Sequence, residues 1–169
     1  MHADDSAARR LPPLDPAPAP VFRPARPDDA DALTAIWRRA VEATHDFLTP
    51  DDVHALERAV HDEYLRAVDV TVAEVSGHPV GFVGTQGHRI EMLFVDPVVH
   101  GRGVGRALLA DAARGHAALE VDVNEQNPGA LLFYRAQGFV VTGRSATDGE
   151  GRPFPLLHLR RPPGAGTPL

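Results

Sequence analysis

The chain has 169 residues, 43% of them hydrophobic and 24% charged, with no cysteine and a formal net charge of -6. That is the balance of one globular domain able to bury a core without disulfides or metal, and the missing thiols exclude thiolate chemistry and point to a cytoplasmic location. Lys and Arg are nowhere clustered, so nucleic acid has no electrostatic footing; no apolar run reaches the roughly 20 residues of a membrane span, and Met1-His2-Ala3-Asp4-Asp5 is acidic where a secretory signal is basic.

Residues 1 to 20 are rich in Ala, Pro and Asp, a composition that predicts a disordered tail, and Pro162 to Leu169 reads as a second flexible tail. The domain is expected between them, over 21 to 161. A short strand at Val21 to Arg26 stops at Pro27, and Asp28 and Asp29 supply carboxylates where a helix N-terminus favours them. The stripe Leu33, Ile36, Trp37, Ala40 and Val41 then predicts a helix with one buried face. A second helix starts at Pro50-Asp51-Asp52 and turns Val53, Leu56, Val60 and Tyr64 inward. Val68 to Val75 and Val80 to Gly87 read as strands of a hairpin joined by Ser76-Gly77-His78-Pro79.

A third β-rich run, Arg89 to Val95, passes through Asp96-Pro97 into Gly101-Arg102-Gly103-Val104-Gly105 and a helix to about Arg114. Simple alternation along this run puts Ile90, Met92 and Phe94 on one face and Glu91, Leu93 and Val95 on the other. Leu119 to Val123 reads as a strand, Pro128 to Gln137 as a helix closed by Gly138, and Phe139 to Arg144 and Phe154 to Arg160 as the last two strands.

Three alternating glycines between a strand and a helix let backbone N–H groups converge on an anion beside the positive end of the helix, which suits a pyrophosphate. A helix cap alone needs one glycine. A dinucleotide fingerprint would need glycine at Arg106 or Leu108, despite Asp122 lying at a ribose-binding distance in sequence, and no Lys-Ser or Lys-Thr follows to make a Walker loop.

The segment His100-Gly101-Arg102-Gly103-Val104-Gly105 resembles the acetyl-CoA signature of the GNAT superfamily, with His100 where the family usually has Gln or Arg. Downstream, Asn127-Pro128-Gly129-Ala130-Leu131-Leu132-Phe133-Tyr134, ending Gly138-Phe139, is similar to the family's Asn-x-x-Ala-x-x-Phe-Tyr motif. Ala43 to Leu48 and Val123 to Asn127 look especially like the bacterial YjaB-type subgroup. The resemblance implies an α/β fold, α+β by some schemes, with a mixed, splayed sheet of about six to seven strands and helices on both faces. It implies acetyl-CoA as cosubstrate, bound by Leu93, Val95, His100 to Arg106 (Gly101, Arg102, Gly103, Val104 and Gly105 among them), Asn127 and Tyr134. The acceptor would be a primary amine of a small molecule or protein. A non-catalytic acyl-CoA binding or sensing domain is the alternative; it would keep the glycine loop without needing Tyr134 or Glu91.

By the same resemblance Tyr134 is the expected acid that protonates the departing thiolate; a tyrosine packed under the sheet is the structural alternative. Glu91, an acid among apolar neighbours, is a candidate base for the acceptor ammonium or the partner of Arg89. His45 follows the first helix where the family shapes its acceptor pocket, and it either binds or deprotonates the acceptor or hydrogen-bonds helix-end carbonyls. The remaining histidines show no metal-binding spacing, so no metal is expected. Monomer and homodimer remain open.

Overall fold

The computed structural model describes residues 18–164. Of the two expected tails, residues 1–17 and 165–169 lie outside the described residues. Among the described residues seven strands form one sheet: β1 (Val21–Pro24), β2 (Asp69–Val75), β3 (His78–Gln86), β4 (Arg89–Val95), β5 (Leu119–Asn124), β6 (Val140–Ser145) and β7 (Leu156–Arg161), in the spatial order β1-β2-β3-β4-β5-β7-β6. All neighbours are antiparallel except β4 and β5. The β2–β3 turn is tighter than the sequence suggests. Ser76 and Gly77 alone make it, both with positive φ (52° and 78°), and Pro79 sits inside β3 at a bulge opposite Glu74, where a missing N–H is tolerated.

On one face lie α1 (Ala30–Thr44) and α2 (Pro50–Ala59). The apolar stripe of α1 is fully buried, as its spacing requires, and Leu33, Ile36 and Trp37 pack with Val53, Val60, Val72 and Phe82. Thr49 and Asp52 form a capping box at the start of α2. The chain then continues through a π-helical turn, Val60–Tyr64, into a last helical turn, α3 (Leu65–Ala67). Asp29 does more than favour the start of α1. It accepts from both terminal nitrogens of Arg23 (2.6 and 2.8 Å) and from the Arg26 amide (2.6 Å), so it clamps β1 to the helix.

The other face carries α4 (Val104–Ala112) and α5 (Pro128–Ala136), with Val104, Leu108, Leu109, Tyr134 and Phe139 buried over Val83, Ile90, Val121, Val123 and Leu159. Burying both faces of the central strands explains their near-continuous apolar runs. Gly138, at φ 86°, ends α5 and turns the chain into β6, as the sequence predicts.

One local irregularity positions the site. Opposite β3, the register runs Gly84↔Met92 and then Thr85↔Ile90, so Glu91 is an extra residue in β4. This bulge overturns the simple alternation expected for the strand: Ile90, Leu93 and Val95 pack on the α4–α5 side, Met92 and Phe94 on the α1–α2 side. Beyond the bulge β4 leaves β5. The two pair only at Arg89↔Glu120 and Ile90↔Val121.

Candidate active site

Where β4 and β5 part, the sheet opens into a cleft of about 620 Å³. Its walls are the free edge of β4 from Glu91 to Val95, β5 from Val121 to Asn124, the glycine loop and start of α4, and Ala130, Phe133 and Tyr134 of α5. With no strand beside it, the β4 edge presents peptide groups that an extended ligand could pair with, as a further strand would. Leu93 and Val95 both line this wall.

The glycines of the loop do separate jobs. Gly101 and Gly103 have φ of 76° and 78°, a left-handed backbone that disfavours a side chain, and a Cβ at either would meet nothing within 4 Å. They leave a shallow, open backbone cradle. Gly105 has ordinary helical geometry, and a Cβ there would make normal 3.6 Å contacts with Phe133 and Val95. Gly103 is the N-cap of α4, and no side chain caps the helix. The first-turn amides of such a helix have no intrahelical acceptor, so this end of the cleft offers N–H donors and a partial positive charge suited to a phosphate. The cradle thus fits the pyrophosphate of a coenzyme A. His100, placed at the usual Gln or Arg position, donates from Nε2 to the Val95 carbonyl at 3.0 Å and pins the loop to the end of β4. Asp96 braces the same turn, accepting from the Val98 amide (3.2 Å) and from Arg39 of α1 (2.6 Å). Arg102 is exposed, while Arg106 lines the cleft.

Tyr134 is packed under the sheet and also reaches the cleft wall. Its ring packs edge-on against Phe133 (5.1 Å between centroids) and Phe139 (5.2 Å), and the residue is 6% exposed. Its hydroxyl has no hydrogen-bond partner among the described residues, although the ring lines the cleft. Burial pushes the phenol above its ordinary value of 10, so it stays protonated through the neutral range. Asn127 reaches the cleft mainly as the cap of α5: its Oδ1 accepts from the Ala130 amide at 3.0 Å.

Glu91, on the bulge, lines the cleft but is partnered, with Arg89 Nε at 2.9 Å. Arg89 also donates to Asp122 on β5 at 2.6 Å. Asp122 in turn contacts His158 Nδ1 at 2.6 Å, and His158 Nε2 lies 2.7 Å from Ser145 Oγ. This order of groups is that of a hydrolase triad, but neither His158 nor Ser145 lines the cleft, so the chain braces Asp122 across β5, β7 and β6. No spacing in the sequence announces it; the three residues meet only through strand pairing.

Residues 33–154 match the family model described as an acetyltransferase (GNAT) domain. The chain belongs to the GNAT acetyltransferase family. It is an acetyl-CoA dependent N-acetyltransferase. Among curated relatives it is 43% identical, over 142 residues, to the peptidyl-lysine N-acetyltransferase YjaB of Salmonella typhimurium, covering 83% of this chain and 97% of that protein. It is also similar to the solution structure of apo-form YjaB from Escherichia coli, with TM-score 0.79, 42% identity, and coverage of 84% of this chain and 97% of that one. The protein yncA from Salmonella typhimurium, solved with its cofactor acetyl-CoA, superposes with TM-score 0.56 at 25% identity, covering 83% and 92% of the two chains.

The far wall of this GNAT cleft comes from the turn after α1. The His45 backbone N–H caps the helix by bonding the Val41 carbonyl at 2.8 Å, but its ring bonds no carbonyl, contrary to the helix-end reading. Instead Nδ1 lies 2.7 Å from the Thr44 hydroxyl, and the ring lines the cleft. Burial holds the imidazole below its ordinary 6.5, against the opposing pull of Asp46. His45 then contacts Phe47 (5.3 Å), and Phe47 contacts Phe154 (5.9 Å) in the β6–β7 loop, over which Arg152 lies at 5.9 Å. Arg152 is held by Asp148 at 2.7 Å, and Tyr64 donates to Glu150 in the same loop. Phe47 and Phe154, more than a hundred residues apart, form an aromatic bridge at this end of the GNAT domain. From sequence Phe154 reads only as the start of a strand, which begins instead at Leu156.

Proposed function

We propose that this enzyme transfers the acetyl group of acetyl-CoA directly to the side-chain amine of a lysine in a protein, working in the cytoplasm. The observation that carries it is the meeting, in one cleft, of an uncapped helix N-terminus, a free strand edge and the unpartnered hydroxyl of Tyr134. The name of the YjaB relative supports lysine as the acceptor. The lack of cysteine suits a reducing compartment.

In this reading the amides opening α4, from Gly103 to Arg106, hold the pyrophosphate, and the edge at Leu93 and Val95 pairs with the pantetheine arm. Acetyl-CoA supplies an activated thioester carbonyl. A β4 backbone N–H is positioned to stabilise the developing oxyanion. Tyr134 places a proton on the departing sulfur. A thiolate, whose thiol ordinarily titrates near 8.5, is a weaker base than a phenolate, so this step is uphill by at least about 2 kcal/mol unless it is coupled to reprotonation of the tyrosine. The amine supplies that second proton as its nitrogen becomes an amide. Glu91, on the cleft wall with Arg89, draws the cationic acceptor in and orders its approach.

The test is incubation with acetyl-CoA and a lysine peptide library, read by mass spectrometry. Acetylation confined to lysine side chains is expected, with none on Lys→Arg peptides. Acetylation only of free small amines would replace the protein acceptor in this reading. In thermal shift, acetyl-CoA should stabilise the protein and NAD should not.

A further inference from the structure

Two hydrogen bonds at the end of α1 fix where the His45 ring carries its proton. The Thr44 hydroxyl lies 2.7 Å from the Ala40 carbonyl oxygen, which can only accept, so the single hydroxyl hydrogen points there. The same oxygen lies 2.7 Å from His45 Nδ1, and that contact therefore needs its hydrogen from the ring. Nδ1 is protonated. In the neutral imidazole the lone pair is then on Nε2. No hydrogen bond from Nε2 to any group is formed among the described residues, and the ring lines the cleft with Tyr134.

From this geometry we propose that His45 is a catalytic base, whose Nε2 takes a proton from the ammonium of the acceptor; the proposal rests on the amine-transfer reading above. Thr44 is its positioning residue, because it holds the tautomer. The other ionisable groups of the cleft wall are Glu91 on β4, Asp122 on β5, His100 in the loop before α4, Arg106 in its first turn, and Tyr134 on α5, with Asp46 next to the ring on its own turn. Of the two carboxylates, Glu91 is held by Arg89, and Asp122 by Arg89 and His158. The desolvated ring is neutral at pH 7 and ready to accept. Imidazole is moreover a stronger base than a carboxylate by about two pKa units. A lysine ammonium near 10.4 makes the transfer uphill by more than about 4 units, because burial also weakens the imidazole as a base, and the gap narrows when the ammonium in turn leaves water for the cleft.

The step balances as follows. One proton passes from the ammonium to Nε2, and the freed nitrogen lone pair bonds the thioester carbon. The C–S bond breaks, its electron pair leaves on sulfur, and sulfur takes the hydroxyl proton of Tyr134. The second proton on nitrogen goes to the Tyr134 oxygen. The tyrosine ends as it began, the product is an amide and a thiol, and the imidazolium releases one proton to solvent.

Two measurements test it. Nitrogen NMR of the free protein should show His45 with hydrogen on Nδ1 and a titration below 6.5, and Thr44→Val should lose the tautomer preference. Rates with a lysine peptide should fall about 10²- to 10³-fold at pH 7 in His45→Gln, with the deficit shrinking as pH approaches that of the free amine, while acetyl-CoA affinity stays within twofold. Thr44→Val should show a smaller loss of the same pH form. Hydrogen on Nε2 in the free protein would overturn the proposal, as would a His45→Gln rate equal to wild type or reduced by one factor at every pH. If wild-type protein acetylates no lysine peptide, the amine-transfer reading fails and the base role with it, whatever the tautomer.

Discussion

The two ends of the cleft are built from different material. At the end proposed for the cofactor the contacts offered are backbone: the left-handed turns at Gly101 and Gly103, the uncapped start of α4 and the unpaired edge of β4. At the end proposed for the acceptor they are side chains: the His45 ring lines the cleft, and behind it Phe47 meets Phe154, over which Arg152 lies, in a loop far along the chain. A surface made of backbone constrains sequence only through glycine and spacing, so it leaves a local motif. A surface made of distant side chains leaves none, and it can change from one acceptor to another without disturbing the donor site.

Substitutions can break this division, and the largest effect belongs to the residue between the two ends. Tyr134→Phe keeps the ring packing on Phe133 and Phe139 and removes the hydroxyl. Turnover should fall roughly 10²-fold or more with every acceptor, while calorimetry shows acetyl-CoA affinity nearly unchanged. Equal turnover would leave protonation of the thiolate to water. Gly103→Val comes next. A β-branched residue at φ 78° costs at least about 1–2 kcal/mol of backbone strain, and its methyl groups enter the open cradle, so acetyl-CoA affinity should fall about tenfold or more, with the acceptor KM unaffected at saturating cofactor. Gly105→Ala is the control, since its methyl makes only ordinary contacts.

At the other end, Phe154→Ala removes the bridge to Phe47, and the acceptor KM should rise a few-fold while the cofactor Kd holds. A change in cofactor affinity instead would show that the two ends are coupled. The smallest effect on chemistry is expected at Asp29, remote from both. Its hydrogen bonds to Arg23, and then to the Arg26 amide, hold its pKa below 3.8 despite burial. Its stabilisation is therefore complete above 3.8 and is lost as pH falls through the lower folded-state value. Asp29→Asn should lower Tm at pH 7, the gap to wild type should close below pH 4, and turnover of the folded protein should not change.

The sequence announced the helices and strands well because their faces are buried one-sidedly or wholly, and burial writes its period into the residues. It placed α1 by five apolar positions, all of them buried, and α5 by Pro128 at its start and Gly138 after its end. Alternation misled at β4, where the bulge at Glu91 carries no composition signal of its own and yet moves Ile90 to the opposite face from Met92. The Asp122, His158 and Ser145 chain was invisible for a related reason, since strands β5, β7 and β6 are adjacent in space and not in sequence.

The sequence by itself determined the elements, the glycine cradle and the family, because each depends on residues within one turn or one strand–helix junction. Only the tertiary structure decided that β4 parts from β5 after Ile90, that Glu91 is paired to Arg89, and that His45 shares a cleft with Tyr134. It also supplied the tautomer of His45, although Ala40, Thr44 and His45 are neighbours in sequence. A hydroxyl has one hydrogen to give, and which acceptor receives it is fixed only when the helix places the Ala40 carbonyl 2.7 Å away.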